Sequence, residues 1–231
     1  MKSFATICLL LAVFCAVQAG PLDQLRQGIQ NSKNQVNSIT SDLRRFQSNL
    51  DRTTKNQLSN YKLQSMTNIN NIVNPALSDI RAKVDAANAA GKDAEHCYTD
   101  AKANLRTASQ TGFSELNRCE QNALQSLQPQ FNALDTAEAT GNKYITELDA
   151  VFLNCYSSDI FAMQTCIALK LGNINQSIRA YESTINSMKN DVQNAANRAV
   201  LAANSCNMDV VSTVRSSGTD VRITANRCTS N

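Results

Sequence analysis

The chemistry of this chain is concentrated in its sulfur. Cys97, Cys119, Cys155, Cys166, Cys206 and Cys228 follow two further cysteines, Cys8 and Cys15, in the first nineteen residues. Those nineteen residues read as an export signal. Lys2 gives the positive start, Ile7 to Val17 the apolar centre, and Val17-Gln18-Ala19 the small-residue cleavage site, so the mature chain is expected to begin at Gly20. A membrane anchor is the alternative, but it needs ~20 consecutive apolar residues and a stop-transfer pattern, and this stretch has neither. Once Cys8 and Cys15 leave with the signal, six cysteines remain in an oxidising compartment. An even set of this kind pairs most simply as three disulfides, with buried free thiols as the rival reading.

Spacing limits how those cysteines can pair. At a rise of ~1.5 Å per residue, Cys155 and Cys166 would lie ~16 Å apart on one straight helix and Cys97 and Cys119 ~33 Å apart. A disulfide needs a Cα separation of ~4–7 Å, so bonds within an unbroken helix are excluded and the cross-links are expected between helices. Intervals of 11 and 22 residues are close to whole numbers of turns, which puts each pair on one helix face. Cys97–Cys206 and Cys119–Cys228 share a separation of 109 residues and would make a two-rung ladder between parallel helices. A chain reversal near Gly218 would instead bring Cys206 level with Cys228. Six cysteines allow 15 connectivities, and the pairing stays open.

Other chemistry is thinly supplied. The single histidine, His96, adjoins Cys97, but neighbouring helical positions do not face each other as a nucleophile and base must. There is no C-x-x-C pair and no second histidine to complete a metal-ligand set. The carboxylates Glu95, Asp100, Glu115, Glu120, Asp149 and Asp159 do not converge in sequence on a pocket, and the seven glycines form no phosphate-cradling loop. The expectation is a protein without catalytic, cofactor or metal residues. Asn175-Gln176-Ser177 is an acceptor sequon for N-glycosylation placed just after Gly172, and Asn204-Ser205-Cys206 is a rarer variant of it that a disulfide would oppose.

The elements that must carry these residues are helices. Leu22, Leu25, Ile29, Val36, Ile39, Leu43, Phe46 and Leu50 alternate three and four apart, with only Ser32 out of class, which is the narrow a/d seam of a coiled coil. Beyond Leu50 matches recur eleven apart, at Leu50, Tyr61 and Ile72 and at Leu58 and Ile69, a spacing that relaxes left-handed supercoiling. Asn74-Pro75 predicts the start of a second helix, with a kink as the alternative. That helix carries Leu77, Ile80, Val84, Ala87, Ala94, Tyr98, Ala101, Leu105 and Ala108, slips near Gly112, and resumes at Leu116, Cys119, Ala123 and Leu127; Gly91 is a candidate break. Pro129 predicts a third helix, loosened over 154–159, where Ser157 and Ser158 are candidate N-caps; a short helix then runs to Gly172. Leu171, Ile174, Ile178, Tyr181, Ile185, Met188, Val192, Ala195, Ala199, Ala202 and Cys206 fill consecutive a/d positions, and Ser216-Ser217-Gly218 is expected to end the region before a short terminal helix. Three prolines in 231 residues and no tryptophan fit long, thin helical seams. The expected fold is all-α: an elongated, disulfide-stapled helical bundle with an N-terminal coiled-coil arm. The domains are a signal peptide 1–19, a coiled-coil helix 20–73 and a six-cysteine helical domain 74–231.

The 22 Lys and Arg are interspersed with 19 Asp and Glu, so there is no electrostatic footprint for nucleic acid or an anionic membrane. No later apolar run is long enough to span a bilayer, and the tail is too polar for a glycolipid-anchor signal.

The signal peptide, the helical region rich in Asn, Gln, Ser and Ala, and the six cysteines between Cys97 and Cys228 resemble the secreted tsetse EP-domain proteins over about the C-terminal 140 residues. The Glu-Pro repeats of the family's founder are absent here. The resemblance implies secretion in an insect, into gut or another epithelial fluid, and no established molecular activity. Insect odorant-binding proteins fit less well, because their C-x3-C and C-x8-C spacings do not occur among the six cysteines. The leading expectation is a secreted, non-enzymatic structural or interaction protein. It would bind an unknown extracellular protein or associate with itself through the Leu22 to Leu50 seam, whose uncharged Gln35, Thr40, Gln47 and Asn49 encode little partner choice. The alternative is an extracellular lipid or small-ligand carrier, although a strict a/d stripe is narrower than a lipid-facing helix normally shows. A hydrolase ranks third.

Overall fold

A computed structural model describes the backbone of residues 2–230 and the side chains of residues 20–230. The expected export signal, 1–19, therefore lies outside the side chains described. The fold is an all-α bundle of three long helices, α1 (Lys2–Ala89), α2 (Glu95–Asn154) and α3 (Ile160–Ser230).

Both chain reversals have a local cause. At the end of α1, Gly91 takes φ 83°, which costs a residue without Cβ little. Gly91 N–H then reaches the Asn88 carbonyl at 3.0 Å and Lys92 N–H the Ala87 carbonyl at 3.1 Å, the pair of bonds of a Schellman cap. Asn88 Oδ1 accepts from Ala94 N–H at 2.9 Å and closes the turn. At the start of α3 the cap is Asp159, whose Oδ1 accepts from the N–H groups of Phe161 and Ala162, while Ser157 Oγ accepts from Asp159 N–H. The serines expected to cap α3 are thus displaced by the neighbouring aspartate, whose charge also suits the positive end of the helix.

Four expected boundaries are absent. α1 continues through Pro75, α2 through Pro129, and α3 through Gly172 and Gly218. Each proline lies on an exposed face, as does the residue four before it, Asn71 or Gln125, so the carbonyl that loses its helical partner can reach water. Buried Val73 and Ala76 flank the first proline and Leu127 and Leu134 the second. Packing of this continuous inner stripe offsets the ~3 kcal/mol that an interior proline costs.

The chain forms two compact units, each drawing on all three helices. Unit 1 comprises Met1–Asn49 and Gln130–Val192, and unit 2 comprises Leu50–Pro129 and Gln193–Asn231. In unit 1, buried positions repeat by sevens: Ile29, Val36 and Leu43 on α1, Leu134, Gly141 and Leu148 on α2, and Leu171, Ile178, Ile185 and Val192 on α3. The Leu22 to Leu50 seam expected to serve self-association is therefore largely consumed within the chain, with Val36 and Leu43 fully buried. In unit 2 the repeat is eleven: Leu58, Ile69 and Ile80 on α1, Leu105, Leu116 and Leu127 on α2, and Ala203, Val214 and Ala225 on α3. The change of period explains why Ala202, expected on the inner stripe of α3, is exposed and Ala203 is buried in its place.

Within each unit the direction of the helices follows from their cross-links. In unit 1, Arg44 meets Glu138 at 2.5 Å and Lys33 meets Asp149 at 2.6 Å, so α2 runs antiparallel to α1. Gln35 donates to Glu182 and Ser32 to Asn175, so α3 runs parallel to α1. In unit 2 the same sense holds: Lys62–Glu120 at 2.5 Å and Arg81–Glu95 at 2.7 Å set α2 antiparallel to α1, and Arg222–Asp79 at 3.0 Å with Lys83–Asn226 at 2.7 Å set α3 parallel to it.

Candidate functional site

The six cysteines form three disulfides: Cys97–Cys228, Cys119–Cys206 and Cys155–Cys166, with Cα separations of 5.9, 5.9 and 5.6 Å. The first two are the rungs of a ladder between α2 and α3 in unit 2. The parallel ladder of Cys97–Cys206 and Cys119–Cys228 is superseded because α2 and α3 run antiparallel, so the cysteine nearest the start of α2 meets the one nearest the end of α3, and Cys206–Cys228 is superseded because α3 runs unbroken through Gly218. The 22-residue interval recurs on both helices, two elevens each, so both rungs leave from one face. Cys155–Cys166 staples the end of α2 to the start of α3 across the Asp159-capped turn of unit 1.

Between the two rungs, α2 and α3 flank an open groove of ≈970 Å³, with Ala108, Gly112, Val210 and Val214 as its apolar floor and Thr107, Thr213 and Asp209 among its polar walls. Gly112 admits this close approach. A Cβ there would stand 2.8 Å from Val214 Cγ2 and 3.0 Å from Ile69 Cδ1. The sequence presented Gly112 as a slip in the heptad; it is a core position of the eleven-residue repeat, and recognising that period would have placed it. A second groove of ≈630 Å³ lies in unit 1, with Ala137, Tyr144, Tyr181 and Met188 in its lining.

His96 is exposed, with Nε2 3.3 Å from Cys228 Sγ and 3.6 Å from Cys97 Sγ. The adjacency in sequence with Cys97 is thus a contact in space, made through the cross-link. The donor atoms of the three residues lie within 4.8 Å of one another, but with the sulfurs bonded to each other there is no thiolate to hold a metal ion.

The singled-out carboxylates are mostly engaged. Glu95 faces Arg81, Glu120 Lys62, Asp149 Lys33 and Glu115 Arg118, while Asp159 caps α3. Asp100 lines a small groove with Asp220 beside Cys97 and Cys228. Hydrogen bonds from Arg222, then Lys83, hold the Asp79 carboxyl below the usual carboxylate range. Burial, helped by Glu138 and Tyr144, raises the Tyr181 hydroxyl above the usual phenolic range.

Asn175 lies in mid-helix, because α3 does not break at Gly172. It is half-buried, and its Oδ1 accepts from buried Ser32 Oγ at 2.5 Å. The sequon therefore occupies a helix contact of unit 1 and not the open turn expected for a sugar. Ser32, the one polar interruption of the first heptad stripe, has its explanation in the same bond.

Exposed apolar side chains that the patterns did not mark gather in sequence around the α2–α3 turn: Leu153, Tyr156 and Phe161, each more than 70% exposed. Among the described residues no helix is long and apolar enough to cross a membrane. Compared with protein families and with curated proteins, the chain matches none.

Proposed function

We propose that this chain is exported and works outside the cell as a non-enzymatic interaction protein, presenting disulfide-locked helix surfaces to an extracellular partner. The observation that carries the reading is that all six cysteines beyond residue 19 are joined in three intrachain cross-links, a use of cysteine that suits an oxidising compartment. The resemblance to the insect tsetse EP-domain proteins supports the same setting. The engaged carboxylates support a non-catalytic role, and the exposed Leu153, Tyr156 and Phe161 supply apolar contact surface of the kind partners use. The test is expression of the full chain in insect cells. Protein in the medium that begins at Gly20 and has no alkylatable thiol is the expected result; protein kept inside the cell with residues 1–19 and six free thiols would end the proposal.

A second reading, a carrier of a small apolar ligand, is favoured by the ≈970 Å³ groove, which falls in the ~300–1,000 Å³ range of ligand pockets. Native mass spectrometry of the exported protein separates the two: a copurified small molecule, lost when the exposed groove wall is filled by Thr107→Trp, would establish the carrier.

A further inference from the structure

The three disulfides stand in unlike surroundings. Cys119 and Cys206 lie in the interiors of α2 and α3, and Cys155 and Cys166 bridge a turn, whereas Cys97 is in the first turn of α2 and Cys228 in the last turn of α3. The chain's single imidazole touches both sulfurs of that last pair, so neither other disulfide has a histidine. The two sulfurs also differ from each other: Cys97 is 2% exposed and Cys228 half-buried near the chain's end.

From this we infer that Cys97–Cys228 is a thiol–disulfide exchange site, attacked at Cys228 Sγ by an external thiolate, with His96 Nε2 in contact with both the attacked sulfur and the departing sulfur of Cys97. The step balances simply. The incoming thiolate forms a bond to Cys228 Sγ as the Sγ–Sγ bond breaks, and that bonding pair leaves on Cys97 Sγ, which departs as a thiolate beside the imidazole and takes a proton from solvent. With a dithiol as reductant, its second thiolate attacks the mixed disulfide, frees Cys228, and leaves the dithiol oxidised by the two electrons the protein has gained. The direction of attack follows from position. Cys228 is the more accessible sulfur, and negative charge on Cys97 falls at the positive end of the α2 dipole, where an ionised sulfur is favoured as leaving group. The surrounding charges do not cover the site. Glu95 is drawn to Arg81 of α1, Lys92 of the turn holds the Thr229 and Ser230 carbonyls of α3, and Asp100 and Asp220 line the groove on the side of the sulfurs. Opening the bond leaves the last turn of α3 held by the hydrogen bonds of Lys92, by the Lys83–Asn226 bond and by the packing of Cys228 on the apolar core.

Limiting dithiothreitol on the intact oxidised protein, with alkylation and peptide mapping over time, tests the inference. Cys97 and Cys228 are expected to open at least about tenfold faster than the other four cysteines. His96→Asn should slow that opening roughly tenfold, and His96→Lys, which places a nitrogen donor beside the sulfurs, should restore most of the rate. Circular dichroism of both variants should match the parent, since His96 is exposed. Opening of another pair at the same rate, loss of helix in step with reduction, or an unchanged rate in His96→Asn would each overturn the inference. The reading of the protein as an exported interaction molecule is tested separately by its amino terminus and location.

Discussion

In unit 1 the buried stripe repeats every seven residues and is filled mainly by Ile, Leu, Val and Tyr; in unit 2 it repeats every eleven, and alanine takes nine of the buried apolar positions against one in unit 1. Exchanging a buried leucine for alanine forgoes about 2 kcal/mol of apolar burial. Unit 2 is also where both long-loop disulfides lie, closing 131 and 87 residues. Both units carry charged bonds between their helices, and unit 1 adds uncharged ones at buried residues: Ser32 to Asn175, and Tyr181 Oη to the Ala137 carbonyl at 2.9 Å. The lesson is one of substitution. Where the side chains filling the seam are small, covalent cross-links stand in for bulk, and where they are large, a single short-loop staple suffices.

The largest expected effect breaks this comparison directly. Replacing Cys119 and Cys206 by Ser should cost roughly 4–5 kcal/mol in denaturant unfolding, and replacing Cys155 and Cys166 about 3, because the shorter loop constrains the unfolded chain less. Equal losses, or a larger loss at Cys155–Cys166, would remove the basis for the contrast.

Next come the glycines. A Cβ on Gly141 would meet Thr40 Cγ2 and stand 2.8 Å from Tyr181 Oη, whereas Gly172 has open space around it. Gly141→Ala should lower stability by about 1–3 kcal/mol through overpacking, while Gly172→Ala should raise it by about 0.5–1. Thermal unfolding of the two variants reads the difference in sign.

Smaller effects distinguish the units by pH. Tyr181 has its folded value raised, so the stability it gives is complete below the ordinary phenolic value of ~10 and is lost as pH rises through the folded value. Alkaline unfolding of the parent should therefore set in earlier than that of Tyr181→Phe, once the ~1 kcal/mol of the lost hydrogen bond is allowed for. Asp79 has its folded value lowered, so its contribution is present above the ordinary carboxylate value of ~3.9 and is lost as pH falls through the folded value. Asp79→Asn should flatten the acid limb slightly and leave the alkaline limb untouched. A variant that moved the opposite limb would show that the assigned group is not the one responsible.

Much of this was legible in the residues. Period alone marked Ile29, Val36, Leu43, Ile178 and Ile185 as inward-facing, and local residue preference marked Gly91 as a candidate break and 154–159 as a loosening; that the chain reverses at both is what packing adds. Pro75, Pro129, Gly172 and Gly218 misled because a breaker acts on one turn, while burial along a long helix acts on all of them. Gly218 in particular is buried against Ile72 and Leu105, a close-packing role that sequence does not separate from a helix end. The disulfide pairing was hidden for a different reason: it depends on which way the helices run, and spacing along each helix is the same in either direction. His96 was weighed only against its neighbour in sequence, and its second sulfur, Cys228, is 132 residues away.

The two rungs also act as a ruler. Deleting one residue of α2 between Cys97 and Cys119 would swing one cysteine by ~100° around the axis and shorten the interval by ~1.5 Å, so the two bridges could no longer form together without distorting a helix. Length changes here are expected to be tolerated only as matched losses or gains of eleven residues in all three helices of unit 2, because α1 carries the same repeat against both strands of the ladder.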